Sequence, residues 1–218
     1  MDTLKGRRLG QPLRFFVGIT GALPKLTAYR LIEPALRLPE PVQVVCYEDK
    51  AERLLAELSI HVLDIVLSDI PAPPSARVRA FNHLLGECPV SVFGTPDLAA
   101  AYRRGFPRSL DGAPFLLPTP NSALRQSLEQ WFDAEGIRPV IKGEIEDSAL
   151  LKAFGQAGVG LFVAPTVVEA EIRRQYRVQV IGRIESVRER FYAISVERKL
   201  KHPAVVAISE AAREKLFI

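Results

Sequence analysis

An α/β protein of two lobes is what the sequence predicts, and three observations lead there. Short apolar runs rich in Val, Ile, Leu and Phe alternate with stretches whose apolar residues recur at helical spacing. A unit of strand, polar turn and helix at Phe15–Lys25 has a counterpart in the second half of the chain, beginning at Phe115. No tandem period runs through the sequence, so the related halves point to two lobes on mostly parallel sheets rather than to one large sheet.

Composition narrows the class. The chain has 218 residues, 48% hydrophobic and 25% charged, an ordinary globular balance with enough length for a sizeable core. No stretch approaches the roughly 20 apolar residues a membrane span needs, and Met1–Pro12 lacks the apolar centre of a secretory signal. The net charge of +4 is too mild for a dedicated nucleic-acid binder. Basic residues cluster between Arg173 and Lys201, but Glu169, Glu171, Glu185, Glu189 and Glu197 are interleaved, which reads as a solvated face or subunit contact. Cys46 and Cys88 each fall in an apolar run, so both are expected as buried free thiols.

The elements follow in order. Met1–Pro12 is polar and broken by Gly and Pro, a connector. Leu13–Ile19 is a covered strand, and Thr20-Gly21 is a turn that bends sharply and leaves backbone N–H groups open. Pro24 opens a helix to Leu38, apolar on more than one face and kinked by Pro34. Val42–Tyr47 is a strand, Ala51–Leu63 a helix and Asp64–Leu67 a short strand ending at Ser68-Asp69. Beyond the stiff Pro71–Pro74 loop, Val78–Leu85 and Pro89–Gly94 are extended, and Thr95-Pro96-Asp97 starts a helix. Phe115–Leu117 is a strand, Pro118–Ser122 a turn, and Ala123–Glu135 a helix with Leu124, Leu128, Trp131 and Phe132 at helical spacing. Val140–Ile145 is a strand and Ala149–Gln156 a helix. Gly158–Pro165 then reads as a buried strand and Thr166–Arg174 as a helix. Val178–Ile184 and Phe191–Val196 are extended, and Pro203–Leu216 is a closing helix.

Catalytic signals are lacking. His61, His83 and His202 have no metal-ligand spacing, Cys88 near His83 reads as core, and neither a G-x-S-x-G elbow nor a phosphate-binding glycine loop occurs. The chain is therefore expected not to be an enzyme.

Several of these segments together resemble the effector-binding part of LysR-type transcriptional regulators. They are Gly18–Leu38 with Pro34 inside it, Leu63-Asp64-Ile65-Val66-Leu67-Ser68-Asp69, and Ala153–Gly160 with Ala164-Pro165 after it. More narrowly, Leu23-Pro24-Lys25-Leu26, Arg79–Cys88 and Arg190-Phe191-Tyr192-Ala193-Ile194-Ser195 are similar to the sodium/proton-antiporter regulator subgroup.

The resemblance implies a type 2 periplasmic-binding-protein fold: two Rossmann-like lobes joined by two crossover strands. Lobe one would be 13–94 plus 190–218 and lobe two 95–189, with Val90–Phe93 and Phe191–Val196 as the hinge pair. Residues 1–12 would be the remnant of a linker to an absent winged helix-turn-helix domain, through which alone the protein would meet DNA. A homodimer, or a tetramer when full length, is implied, in the cytoplasm and away from membranes.

The ligand would sit in the interlobe cleft, where three helix starts are expected to converge. These supply Thr20, Gly21, Ala22 and Leu23; Thr119, Asn121 and Ser122; and Asp147 with Ser148. Asp69 and Phe162 complete the set. A small organic anion would want the helix starts with Lys25 or Arg125, whereas a hard monovalent cation would want oxygens such as those of Asp69 and Asp147. The subgroup resemblance implies a response to Na+ or Li+ and otherwise no cofactor. A solute-binding protein of a transport system, which shares the fold, is the alternative.

Overall fold

The computed structural model describes residues 12–74, 79–120, 122–198 and 200–217. Lobe one opens with β1 (Leu13–Thr20), α1 (Lys25–Ile32), β2 (Val42–Asp49), α2 (Ala51–Ser59) and β3 (Ile65–Ser68). The chain crosses on β4 (Phe81–Gly94) and builds lobe two from α3 (Pro96–Tyr102), β5 (Pro114–Leu117), α4 (Ala123–Glu135) and β6 (Val140–Glu144). It continues through α5 (Ser148–Gln156), β7 (Phe162–Pro165) and α6 (Glu169–Tyr176), returns on β8 (Gln179–Ser195), and closes lobe one with α7 (Pro203–Ala211).

Six strands form one sheet in the order β2-β1-β3-β8-β4-β7, and β5 and β6 pair separately. The expectation of mostly parallel sheets is only half met. β1 pairs in parallel with β2 and β3, and β5 with β6, but β3–β8, β4–β8 and β4–β7 are antiparallel. The cause is topological: β4 leaves lobe one and β8 comes back to it, so the two must run in opposite directions. Each is one continuous strand where the sequence suggests two separate runs: Glu87–Pro89 pair with Arg188–Arg190, and after an irregularity that leaves 185–187 without partners on β4 the ladder resumes at Val90 and Ile184. The expected strand start at Val78 lies outside the described residues.

The cores divide at those crossings. Cys88 and Phe191 pack in lobe one with Phe15, Leu23 and Ile65, whereas Val90 and Val187 pack in lobe two with Phe115, Leu128 and Phe132. Burying such side chains contributes roughly 1.5–3 kcal/mol each, so each lobe has its own reason to fold. Pro34 acts as its chemistry requires: with no N–H to donate, it changes α1 after Ile32 into a 3-10 turn over Glu33–Arg37. The helix after β2 stops at Ser59, short of Leu63, with His61 at φ 59° in the turn. The Thr166–Arg174 segment likewise starts as a 3-10 turn, and α6 begins only at Glu169.

Cys88 is buried as expected, but Cys46 is exposed, because β2 is an edge strand that turns one face to solvent. Both are free thiols. Gly155 places α5: a Cβ there would overlap the Phe162 ring, so the helix lies directly on β7 and its next face reaches the cleft.

Candidate functional site in the interlobe cleft

Between the lobes lies a cavity of about 90 Å³, room for a hydrated ion or a ligand of a few heavy atoms. From the expected set it brings together Ala22, Asp69, Thr119, Ser122 and Ser148. Ser122 and Asp147 are also helix caps, accepting from Arg125 N at 3.1 Å and Leu150 N at 2.6 Å. Thr20 reaches the site indirectly, donating from Oγ1 to Asp69 Oδ1 at 3.5 Å.

Other expected residues fall elsewhere. Leu23 and Phe162 are fully buried in the hydrophobic cores, where they support the walls without facing the cavity. Gly21 is a turn residue off the cavity lining. Asp147 is exposed, and its second oxygen lies 4.0 Å from Lys25 Nζ across the cleft. Lys25 is also paired with Glu48. Asn121 lies outside the described residues.

Arg125 is no ligand anchor either. Its guanidinium is buried in lobe two, where Nη1 donates to the Pro118 carbonyl at 2.9 Å and to Glu144 at 2.6 Å, and Nε donates to Glu129 at 2.7 Å. Burial alone would lower its pKa, but the bonds to Glu144 and Glu129 outweigh that and hold it above the ordinary value. Its work is to pin the Pro118–Ser122 turn.

Two charged residues outside the expected ligand set dominate the cavity, Lys152 from α5 and Glu189 from β8, the latter buried where the sequence suggested a solvated face. Lys152 is 5% exposed and donates from Nζ to the Ser148 carbonyl at 2.9 Å. Burial pulls its pKa down to about 8, against the partial opposition of Glu189 and Asp147. Glu189 is 8% exposed, and its Oε2 has no hydrogen-bond partner among the described residues. Burial, with the nearby Asp69 adding to it, pushes its carboxyl up to about 8, which Lys152 offsets only in part. Asp69 is likewise raised by burial, with smaller opposing effects from its own backbone and Thr20. Ser148 Oγ is a second buried polar atom in the lining with no partner among the described residues. Unmatched buried polar atoms cost about 1–3 kcal/mol each, and of the four among the described residues (the others are Thr27 Oγ1 and Arg30 Nε) these two line one cavity, where a ligand or a water can meet them.

Other chemistry is quiet. Burial raises the Cys88 thiol pKa, the opposite of an activated nucleophile. Among the described residues, no group of three or more His, Cys, Asp or Glu side chains is placed to hold a metal ion. In the basic stretch Arg183 bonds Glu169, while Arg188 and Arg190 share Glu87, so these arginines are paired and solvated although Glu189 between them is buried.

The family model for the LysR substrate binding domain matches residues 13–217. The chain belongs to that family. It is similar to the transcriptional activator protein NhaR of Escherichia coli (strain K12), with 36% identity over 205 residues, covering 94% of this chain and 67% of the relative. The same figures hold for the transcriptional activator protein NhaR of Shigella flexneri.

Solved structures share the fold. The regulatory domain of CcmR from Synechocystis PCC6803, in complex with 2-PG, superposes with a TM-score of 0.66 at 13% identity, covering 93% of this chain and 98% of that one. The reduced regulatory domain of OxyR2 from Vibrio vulnificus gives 0.67 at 17% identity, over 93% and 95%. This LysR domain thus has the expected two-lobed, periplasmic-binding-protein-like fold. Among its described residues no helix is long and apolar enough to cross a membrane.

Proposed function

We propose that this LysR domain is the effector-sensing and dimerising part of a cytoplasmic bacterial transcription activator, without catalytic activity, and that its cleft takes a small monovalent cation, Na+ or Li+. The carrying observation is Glu189 Oε2, buried and unpartnered beside Asp69. An unmet carboxylate oxygen calls for a cation or a hydrogen-bond donor, and the Ser148 hydroxyl adds a hard oxygen. An organic anion would meet Asp69 and Glu189 at close range, which weighs against that ligand class.

Ligand bound between the lobes favours one lobe arrangement over another, which would reorient DNA-binding domains carried by a dimer. The exposed Tyr29 and Leu36, on α1 and the 3-10 turn after it, support that segment as a dimer surface. The family match favours this reading over a transport solute-binding protein.

The test is thermal unfolding in sodium, lithium and potassium chloride at matched ionic strength. At about a hundred times its dissociation constant a ligand adds roughly 2.7 kcal/mol, a rise of several degrees for a domain of this size. The rise is expected with sodium and lithium, absent in Asp69→Asn, and retained in Asp147→Asn, which keeps a capping oxygen on α5. Identical curves in all three salts would reject a direct cation site.

A further inference from the structure

We propose that Lys152 sets the valence of the ion this cleft accepts, making the Asp69–Glu189 site one for a monovalent cation and closed to calcium or magnesium. The inference rests on the cation reading above and adds the selecting residue. The charge count carries it. Once a bound cation displaces the proton that burial keeps on Glu189, Asp69 and Glu189 bring two negative charges to the cavity, and the Lys152 ammonium returns one positive charge from the same lining. One negative charge remains, which a single positive charge neutralises. A divalent ion would leave a net positive charge in a buried site, where little water is present to screen it.

The surrounding charges leave that count unchanged. Lys25 is matched by Glu48 and faces Asp147, while Arg188 and Arg190 share Glu87 at the outer mouth. Glu146 lines the rim but is exposed, so solvent screens it. Lys152 is fixed where its charge counts, held through Nζ to the Ser148 carbonyl at 2.9 Å and boxed in by α5 lying on β7. Among the described residues no ion pair within 4.0 Å joins Lys152 to Glu189, so the lysine balances the carboxylate without filling its free oxygen.

The experiment compares thermal unfolding of this chain at pH 7 in sodium, lithium, tetramethylammonium, magnesium and calcium chlorides at matched ionic strength. The wild type is expected to rise with sodium and lithium, with magnesium and calcium no better than tetramethylammonium. Lys152→Gln should gain a calcium response, with calcium affinity at least tenfold above that of the wild type. Lys152→Arg, which keeps the charge, should not. The double variant Lys152→Gln/Asp69→Asn, back to one negative charge, should lose the calcium response again. A wild type indifferent to both sodium and lithium overturns the cation reading and this inference with it. A sodium response matched by calcium in the wild type, or a folded Lys152→Gln that gains none, overturns the valence assignment alone. The wild-type comparison decides the matter even if no variant folds.

Discussion

The two walls of the cleft start from similar strand–turn–helix units and are held in opposite ways. In lobe one the turn after β1 is plugged by Leu23, fully buried against Phe15 and Ile65, and its acidic neighbour Asp69 has a partner in Thr20. In lobe two the Pro118–Ser122 turn is tied down by polar bonds from Arg125, and the charged groups on that side, Lys152 of α5 and Glu189 where β8 crosses back to lobe one, are buried with an oxygen left unmatched. Lobe one therefore presents a settled wall, and lobe two a wall under electrostatic tension that a ligand can relieve. The difference teaches that a turn's sequence pattern does not say whether packing or polar bonding holds it, nor which wall awaits a ligand.

Breaking the settled wall should cost most. Leu23→Ala removes a fully buried plug and leaves a cavity, for which about 2–5 kcal/mol of lost stability is expected in urea unfolding.

Glu189→Gln should act in the other direction and sharpen the contrast. The Glu189 carboxyl titrates near 8 in the folded chain against 4.5 as its ordinary value, so the folded state holds its proton longer than the unfolded one. Stability should then fall as pH rises from about 4.5 to 8. Lys152, lowered from 10.5 to about 8, makes the unfolded state the better proton binder between those values, so stability should climb again above pH 8. Melting temperature against pH should show a trough near pH 8. Glu189→Gln should erase its acid side while keeping the alkaline rise, with a gain on the order of 2 kcal/mol at pH 8. A flat wild-type profile would refute the tension assigned to this wall.

Arg125→Met is the mildest of the three. Glu129 and Glu144 are half-exposed and re-solvate easily, so about 1–2 kcal/mol is expected from the bonds lost, chiefly that to the Pro118 carbonyl. The sharper readout is amide hydrogen exchange, which should quicken at Thr119 and Ser122 while the lobe-one turn stays protected.

Much of the frame was legible because it rests on local chemistry. Pro34 disturbs the helix opened by Pro24 for want of an N–H, as a change to a 3-10 turn rather than the expected kink, Ser122 and Asp147 cap helices through their side-chain oxygens, and the alternation of strand and helix marks two α/β halves. The site was legible only in part. Thr20, Ala22, Asp69, Thr119, Ser122 and Ser148 stand in or beside the cleft because turns at strand ends face the same edge.

Lys152 and Glu189 escaped notice for a physical reason. Lys152 sits on an amphipathic helix and Glu189 in a run of alternating charges, patterns that usually mean solvent, and one signal, the close approach that Gly155 gives α5, was available only beside Phe162. Cys46 failed in the reverse sense: an apolar strand looks buried until its place at the sheet edge is known. By itself the sequence determined most of the elements, several of their caps and breaks, and the presence of two lobes, since those follow from backbone geometry and nearest neighbours, but not that β4 and β8 each run on as one strand. Only the tertiary structure decided which charges are stripped of water, because burial depends on what distant segments bring to the same place, and here β8 returns from lobe two to set Glu189 against Asp69 and Lys152.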